Sequence, residues 1–210
     1  MTFSGTRRRS GRVMVRNRRR PFAMDLGRYY PQALGGRPRL RHKLLVWLFD
    51  RELHCVASLR FGQAARALFD RTKLLGLLPL VLAELWRRWV TTVHHLNIAR
   101  DATFGPGLYV VHRSGIYVGP VTVGENCVLH QNVTLGARWA GGERGVPTIG
   151  DNVWIGPGAT VSGDITIGSN VTISAGTVLA KSVPDGCLVA GNPGRVVRSD
   201  YDNRSMMEAG

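Results

Sequence analysis

Aliphatic residues return every six positions through the second half of the chain. The clearest run consists of Ile149, Ile155, Val161, Ile167, Ile173 and Leu179. The same period continues upstream at 123–135 and, in another phase, at 98–116, which makes 13 repeats. Gly, Asn or Asp recurs between the aliphatic positions and favours a bend. A period of six matches neither an α-helix nor an alternating flat strand.

A short extended segment in each repeat satisfies this pattern if three segments close a coil of about 18 residues. Stacked coils bury the aliphatic side chains inside a prism, and each strand pairs with the strands above and below it. We therefore predict a mainly β fold: a parallel β-helix of about four coils over residues 97–197, preceded by a small α-helical segment. The period does not set the handedness, although parallel crossovers are normally right-handed.

Two irregularities interrupt the period. One extra residue lies between Ile116 and Val123, and eight extra residues lie between Leu135 and Ile149. The longer insertion, at 137–148, must leave the prism as a loop. Loops held by a rigid scaffold often carry binding groups, and this one contains arginines that could bind a ligand. The alternative is a flexible loop without a binding role.

The positive charge is confined to the first half of the chain. Residues 1–97 hold 20 Lys and Arg against 5 acidic residues, whereas residues 98–210 hold 8 against 9. Eight arginines fall within the first twenty positions, so we interpret residues 1–24 as a disordered leader. The alternative is an anchor for anionic lipid or nucleic acid. Because residues 98–210 are nearly neutral, nucleic acid is not an expected partner of the β-helix.

Residues 25–96 are predicted to be an α-helical segment. From Lys43 to Val90 the apolar residues recur at helical spacing, which predicts two or three helices. The most apolar stretch, Leu74 to Trp86, has 13 residues, short of the roughly 20 that span a bilayer. The sequence LWRRW at 85–89 alternates aromatic residues and cations, as at membrane interfaces. The two alternatives for this segment are a helical cap on the β-helix and peripheral membrane contact.

No secretory signal is visible, and three scattered cysteines suggest no disulfide framework. We therefore expect a cytoplasmic protein, with the inner membrane face as the alternative. Residues 198–210 form a C-terminal tail.

Residues 97–197 resemble the hexapeptide-repeat acyltransferases, specifically the serine acetyltransferases and the related exopolysaccharide (colanic-acid-like) acetyltransferases. The resemblance rests on FGPGLYVVHRSGIYVG, VTVGENCVLHQNVTLGA and PTIGDNVWIGPGATVSGDITIGSNVTISAGTVLAKSVPDGCLVAGNPGRVV. It implies a left-handed β-helix, acetyl-CoA as co-substrate without a metal, and a homotrimer with active sites between neighbouring prisms.

The resemblance also implies roles for single residues. His112, in VVHRSG, matches the general base that takes the proton of an acceptor hydroxyl as it attacks the thioester. By itself, a histidine beside a turn is more often structural. The residues implied on the coenzyme side are Ala137, Pro157 and Ala175 for pantetheine, and Lys181 and Arg195 for phosphates. For the two cations, ordinary surface charge is the alternative.

Three positions depart from the serine acetyltransferase pattern. Asn97 replaces the carboxylate that orients the histidine, and Val111 and Val146 replace an acidic residue and a histidine on the acceptor side. Asn97 can hold the imidazole by a hydrogen bond but adds no charge; Asp101 is an alternative partner. These losses favour a sugar or glycan hydroxyl, in envelope or exopolysaccharide biosynthesis, over free serine, which stays the alternative. The predicted acceptor-side residues are Arg113, His130, Arg138 and Arg144.

Two other classes of function compete with acyl transfer. His94, His112 and His130 are spaced by 18 residues, which invites a shared zinc site, but the irregularity after Ile116 spoils their alignment and we predict no metal. A non-catalytic scaffold with a basic arm is the third class. The glycine-rich turns and His112 favour the acetyltransferase.

Overall fold

Helices come first along the chain and strands follow. The computed structural model describes residues 21–34, 40–138 and 145–209, so the prediction of a disordered leader falls mostly outside the described residues. The helices before the β-helix are Pro21–Leu34 (α1), Leu40–Phe49 (α2), Arg51–Arg71 (α3) and Lys73–His94 (α4). Within the described ranges, no helix combines the length and the apolar content needed to cross a membrane.

The strands form five coils. The first coil contains Leu96–Ile98 (β1), Thr103–Phe104 (β2) and Tyr109–Val110 (β3), and the second contains Ile116–Val118 (β4), Thr122–Val123 (β5) and Val128–Leu129 (β6). The third contains Thr134–Gly136 (β7), Thr148–Ile149 (β8) and Trp154–Ile155 (β9), and the fourth contains Thr160–Ser162 (β10), Thr166–Ile167 (β11) and Thr172–Ile173 (β12). The fifth contains Val178–Leu179 (β13) and Leu188–Ala190 (β14), after which come Arg195–Arg198 (β15) and the helix Arg204–Ala209 (α5).

Parallel pairing between coils creates three faces. The first face has the order β1-β4-β7-β10-β13, the second has β2-β5-β8-β11, and the third has β3-β6-β9-β12-β14 with β15 added antiparallel. The rows of aliphatic residues between the faces are buried; Ile155, Val161, Ile167 and Ile173 have no exposed surface. The predicted mainly β fold, a hexapeptide-repeat parallel β-helix after a helical segment, is confirmed.

The predicted number of about four coils is too low by one. In the fifth coil Val183 forms a single bridge to Ile167, and Val189 pairs with Ile173. The spacing from Leu179 to Val183 is four residues, so the six-residue period ends before the fold does.

The first irregularity of the period also lies elsewhere than predicted. Val118, not Ile116, stacks between Ile98 and Leu135. Both Ile116 and Val118 are buried because β4 points two of its three residues inward, so counting six from Val110 reaches the wrong one. The longer turn is therefore the one between β3 and β4, which contains His112.

Asparagines stack in the turns between the second and third faces. Asn126, Asn152 and Asn170 all have left-handed backbones, with φ of 55°, 55° and 57°. The Asn126 amide donates to Asn152 Oδ1, and the Asn152 amide donates to Asn170 Oδ1, each at 3.1 Å. Asparagine suits this position because it tolerates φ above zero and its amide both donates and accepts.

Asn152→Ala is expected to lower the free energy of unfolding by about 2–3 kcal/mol, since alanine loses two amide hydrogen bonds and is strained at positive φ. Asn152→Gly keeps the backbone conformation without strain and should lose less. Chemical denaturation of the two variants measures the difference. Equal stability of the two variants would contradict the backbone part of this explanation.

A buried ion pair fastens the helices to the first coil. Asp25 of α1 is fully buried, and its carboxylate accepts from Arg60 Nε of α3 at 2.7 Å. The same carboxylate accepts from the backbone N–H groups of Gly107 and Leu108, at 2.8 and 2.9 Å. Arg60 also donates to the carbonyl groups of Phe104 and Gly105. The helical segment is thus bound to the turn between the second and third faces.

Candidate active site

His112 lies in the long turn between β3 and β4, and its side chain is exposed. Its backbone is left-handed, with φ of 51°, and Gly115 closes the turn with φ of 71°. Residues other than glycine seldom adopt this conformation, and it is most often kept where a turn or a function requires it. The turn therefore presents an imidazole to solvent from a rigid coil.

The turns that connect the third face to the first form a continuous column, which we call the His112 edge: residues 111–115, 130–132, 156–158 and 174–176. Backbone hydrogen bonds join successive turns, from Asn132 N–H to the Ser114 carbonyl at 2.9 Å and from Gly158 N–H to the Gln131 carbonyl at 2.9 Å. The next bond runs from Gly176 N–H to the Pro157 carbonyl at 2.8 Å. The sequence-predicted residues on this edge are His112, Arg113, His130, Pro157 and Ala175.

His130 lies one coil below His112 and is half-buried. Its Nδ1 is 3.0 Å from the Ile155 carbonyl oxygen, and its ring packs on Trp154 with centroids 4.5 Å apart. Burial lowers the pKa of His130, the hydrogen bond to Ile155 opposes this, and the nearby His112 lowers it further. A neutral ring must donate from Nδ1 to the carbonyl, so Nε2 is left as a hydrogen-bond acceptor.

Arg113 connects the same turn to the helices. Its Nη1 donates to Glu52 Oε1 at 2.9 Å, in the first turn of α3, whose N-cap is Asp50. Arg113 Nε and Gln131 Oε1 are buried without a hydrogen-bond partner among the described residues. The helix α3 thus begins against the His112 edge.

His94, at the end of α4, also belongs to this neighbourhood. Burial lowers the pKa of His94, and the positive charge of Arg113 lowers it further. Both ring nitrogens lack a partner among the described residues, and the ring packs edge-on against Trp89. The sequence did not predict that His94 lies near Arg113 or that Gln131 Oε1 is buried, because the period indicates only inward or outward positions and not where a helix docks.

Other predicted residues lie on a different edge of the prism. We call it the loop edge: the turns from the first face to the second, which contain Ala137, Arg138 and Lys181 and start the inserted loop. Within one chain, the first face lies between this edge and His112. The face is one repeat wide, and six extended residues span at most about 20 Å. Arg195 is exposed on β15, and Arg144 lies outside the described residues.

The two candidate partners of His112 lie in different places. Asn97 is the outward central residue of β1, in register with Tyr117 on the first face. Asp101 lies in the turn after β1, on the loop edge beside the helices. Among the described residues, neither one forms a side-chain hydrogen bond with His112. Val146, at the end of the loop, packs against the core rather than offering a polar group.

The three histidines spaced by 18 residues do not form one column. His94 is at the end of α4, whereas His112 and His130 are neighbours on the His112 edge. In the described ranges, no three His, Cys, Asp or Glu side chains converge closely enough to hold a metal ion.

Two hexapeptide-repeat families match stretches of the β-helix. Residues 147–181 match the family described as bacterial transferase hexapeptide (six repeats), and residues 112–137 match the hexapeptide repeat of succinyl-transferase. In its fold and in these two stretches, the chain is similar to hexapeptide-repeat transferases. His112 is the first residue of the second match.

Curated relatives similar to this chain include serine acetyltransferases. That of Synechococcus elongatus is 40% identical over 124 residues, covering 59% of this chain and 49% of the relative. That of Staphylococcus xylosus is 41% identical over 136 residues, covering 60% of this chain and 62% of the relative. The chain spans about half to three fifths of the length of these curated relatives.

Solved structures of the same kind share the fold. Serine acetyltransferase from Brucella abortus superposes with a TM-score of 0.69 at 26% identity, covering 86% of this chain and 69% of the other. The Neisseria gonorrhoeae enzyme in complex with serine gives a TM-score of 0.65 at 29% identity, covering 84% and 67%. The resemblance to hexapeptide-repeat acyltransferases of the serine acetyltransferase type is confirmed.

Proposed function

We propose that this protein is an acetyl-CoA-dependent O-acetyltransferase with His112 as its general base. The observation that carries the proposal is the exposed, left-handed His112 on a hexapeptide β-helix whose similar proteins are serine acetyltransferases. The Brucella abortus enzyme has also been solved in complex with coenzyme A. Backbone N–H groups at turns of this kind can bind pantetheine and stabilise an oxyanion. Those of Gly158 and Gly176 already bond the neighbouring coils, so Ala175 lies at the position on this edge for such a contact.

In the proposed mechanism, the imidazole of His112 takes the proton of the acceptor hydroxyl while its oxygen attacks the thioester carbonyl carbon. The tetrahedral intermediate then collapses, the carbon–sulfur bond breaks, and the imidazolium returns the proton to the departing thiolate. The products are an O-acetyl ester and free coenzyme A. A neutral His130, with Nε2 available as an acceptor, would help to hold the acceptor hydroxyl.

Serine is the acceptor that the comparisons favour. The similar proteins are named serine acetyltransferases, and the solved enzymes from Neisseria gonorrhoeae and soybean contain serine. The sequence alone favoured a sugar, and the comparisons support the serine alternative better. The sugar or glycan hydroxyl is the second candidate, because Asn97, Val111 and Val146 remove two carboxylates and an imidazole from the acceptor side.

A homotrimer would complete the site. In one chain the loop edge, with Ala137 and Lys181, is separated from the His112 edge by the first face. Packing three prisms around a common axis would place the loop edge of one copy against the His112 edge of the next. Light scattering should then give three times the chain mass of 23.0 kDa; a monomer that is fully active would contradict the shared site.

Free thiol release from acetyl-CoA tests the proposed function, with the full chain and either L-serine or a panel of sugars and glycan fragments. Burial raises the pKa of both Cys55 and Cys127 to about 12, so these thiols should not react with the detecting reagent. Release with serine supports the first acceptor, and release only with saccharides supports the second. No release with either would overturn the proposed activity.

Asn97→Asp is expected to raise kcat about tenfold if a carboxylate at this position can orient and stabilise the His112 imidazolium. Thr134→Asp is the matched control, since Thr134 is also exposed on the first face but lies in the third coil. Steady-state kinetics with a saturating acceptor measures the effect. An unchanged or lower kcat would mean that His112 works without a carboxylate at this position.

A further inference from the structure

Helix α4 has an apolar stripe that nothing in the described residues covers. The stripe consists of Leu74, Leu78, Val81, Leu85, Trp89 and Val93, all of them exposed. Their spacing of three or four residues places them on one side of the helix along its 22 residues, about 33 Å. The other side of α4 is packed, with Ala83 and Val90 buried. A continuous apolar surface of this length indicates an interaction site.

Positive charge surrounds this stripe. Arg87, Arg88 and Arg100 each bond Glu84, at 2.8, 3.0 and 2.7 Å, so three cations share one carboxylate. Over residues 1–97 the excess is larger still, with 20 basic residues against 5 acidic ones. Pairing two copies of this segment would bring like charges together, whereas an anionic bilayer would attract both the cations and the apolar stripe. The charge therefore favours lipid over a second copy as the occupant.

A cavity adjoins the stripe. Its volume is about 970 Å³, and it lies between α3, α4 and the first coil. Its apolar walls include Leu59, Leu80 and Phe104, and it shares Val81 and Leu85 with the stripe. Four arginines also line it, against three acidic residues: Arg66, Arg87, Arg88 and Arg100, and Asp70, Glu84 and Asp101. An apolar cavity with guanidinium groups around it is complementary to an amphiphile with an acyl chain and an anionic head group.

We propose that the protein docks on an anionic membrane surface through the stripe of α4, and that the acyl chain of an anionic lipid enters the adjoining cavity. In this arrangement α4 lies in the plane of the interface, with leucines at the acyl boundary and with Trp89 and the arginines at the head groups. The proposal does not depend on the acetyltransferase activity or on its acceptor.

The first test is sedimentation of the full chain with vesicles of phosphatidylcholine containing about one third phosphatidylglycerol, compared with pure phosphatidylcholine. We expect a partition coefficient at least about tenfold higher for the anionic vesicles. The double variant Leu78→Gln/Leu85→Gln should lose about tenfold or more in binding, because two exposed leucines no longer enter the bilayer. Val197→Gln is the matched control, since Val197 is equally exposed but lies on β15.

Gly62 tests the cavity. It lines the cavity from α3, and a Cβ at this position would meet no atom within 4 Å. Gly62→Trp should fill the cavity and weaken binding to anionic vesicles several-fold, whereas Gly62→Ala should bind like the natural protein. Both variants should fold, because replacing glycine inside a helix favours the helix.

Three results would overturn the proposal. Unchanged vesicle binding by the double variant would assign attachment to the arginine-rich residues 1–20 instead of α4. If the double variant formed a smaller assembly than the natural protein in light scattering and still bound vesicles, a second copy would be the occupant of the stripe. Equal binding by the two Gly62 variants would overturn entry of the acyl chain.

Discussion

Replacing His112 by Asn is expected to lower kcat for acetyl transfer at least about 100-fold, the usual contribution of a general base. Asparagine tolerates a left-handed backbone, so the turn at φ of 51° should persist and thermal stability should not change. The loss should appear in kcat more than in KM, because the proton is transferred only in the transition state.

His95→Asn is the matched control for this substitution. His95 has φ of 52°, is exposed and ends helix α4. Its carbonyl accepts from the Gly115 N–H at 3.1 Å, a backbone bond to the His112 turn that the substitution keeps. The same chemical change at the same backbone conformation should leave kcat within about twofold. Near-normal turnover by the His112 variant, with serine or with the saccharide that the protein uses, would rule out His112 as the base.

Arg60→Ala is expected to destabilise the fold by about 3–5 kcal/mol, the cost of removing one partner from a buried ion pair. Asp25 has no exposed surface and would be left with only the N–H groups of Gly107 and Leu108 as donors. The carbonyl groups of Phe104 and Gly105 would lose their donor at the same time. Chemical denaturation at neutral pH measures the loss.

An exposed ion pair of the same length provides the comparison. Arg204 Nη2 lies 2.7 Å from Asp202 Oδ2, the distance that separates Arg60 Nε from Asp25 Oδ2, yet both of its side chains are largely in solvent. Arg204→Ala should leave the unfolding midpoint unchanged, because solvent screens exposed pairs. If both substitutions had the same small effect, the helices would not depend on Arg60 for their attachment to the first coil.

These two predictions concern neighbouring parts of the molecule. Arg60 secures α3 to the first coil, and Glu52 at the start of the same helix pairs with Arg113, the residue after His112. Loss of Arg60 should therefore loosen the turn that holds the proposed base. Measuring kcat of Arg60→Ala well below its unfolding temperature separates this local effect from global unfolding.

Local sequence patterns were sufficient for the architecture of the β-helix. Each coil contacts only the coils above and below it, so an aliphatic residue every six positions already defines the buried row. The aliphatic residues spaced by six from Ile149 to Ile173 confirm this, because each has at most 2% of its surface exposed. The pattern failed where its spacing changed, at Ile116 against Val118 and in the fifth coil after Leu179, because a count of six cannot tell which of two inward residues continues a row.

The sequence by itself thus determined the solenoid and the helical segment before it, and it singled out His112 as the candidate base, which stays a prediction. Only the tertiary structure decided that Asp25 and Arg60 bond across 35 residues, and that Glu52 meets Arg113. It also separated the predicted site residues onto two edges of the prism. The physical reason is that such contacts depend on how helices pack against a coil, and neither the six-residue period nor the helical spacing encodes that packing.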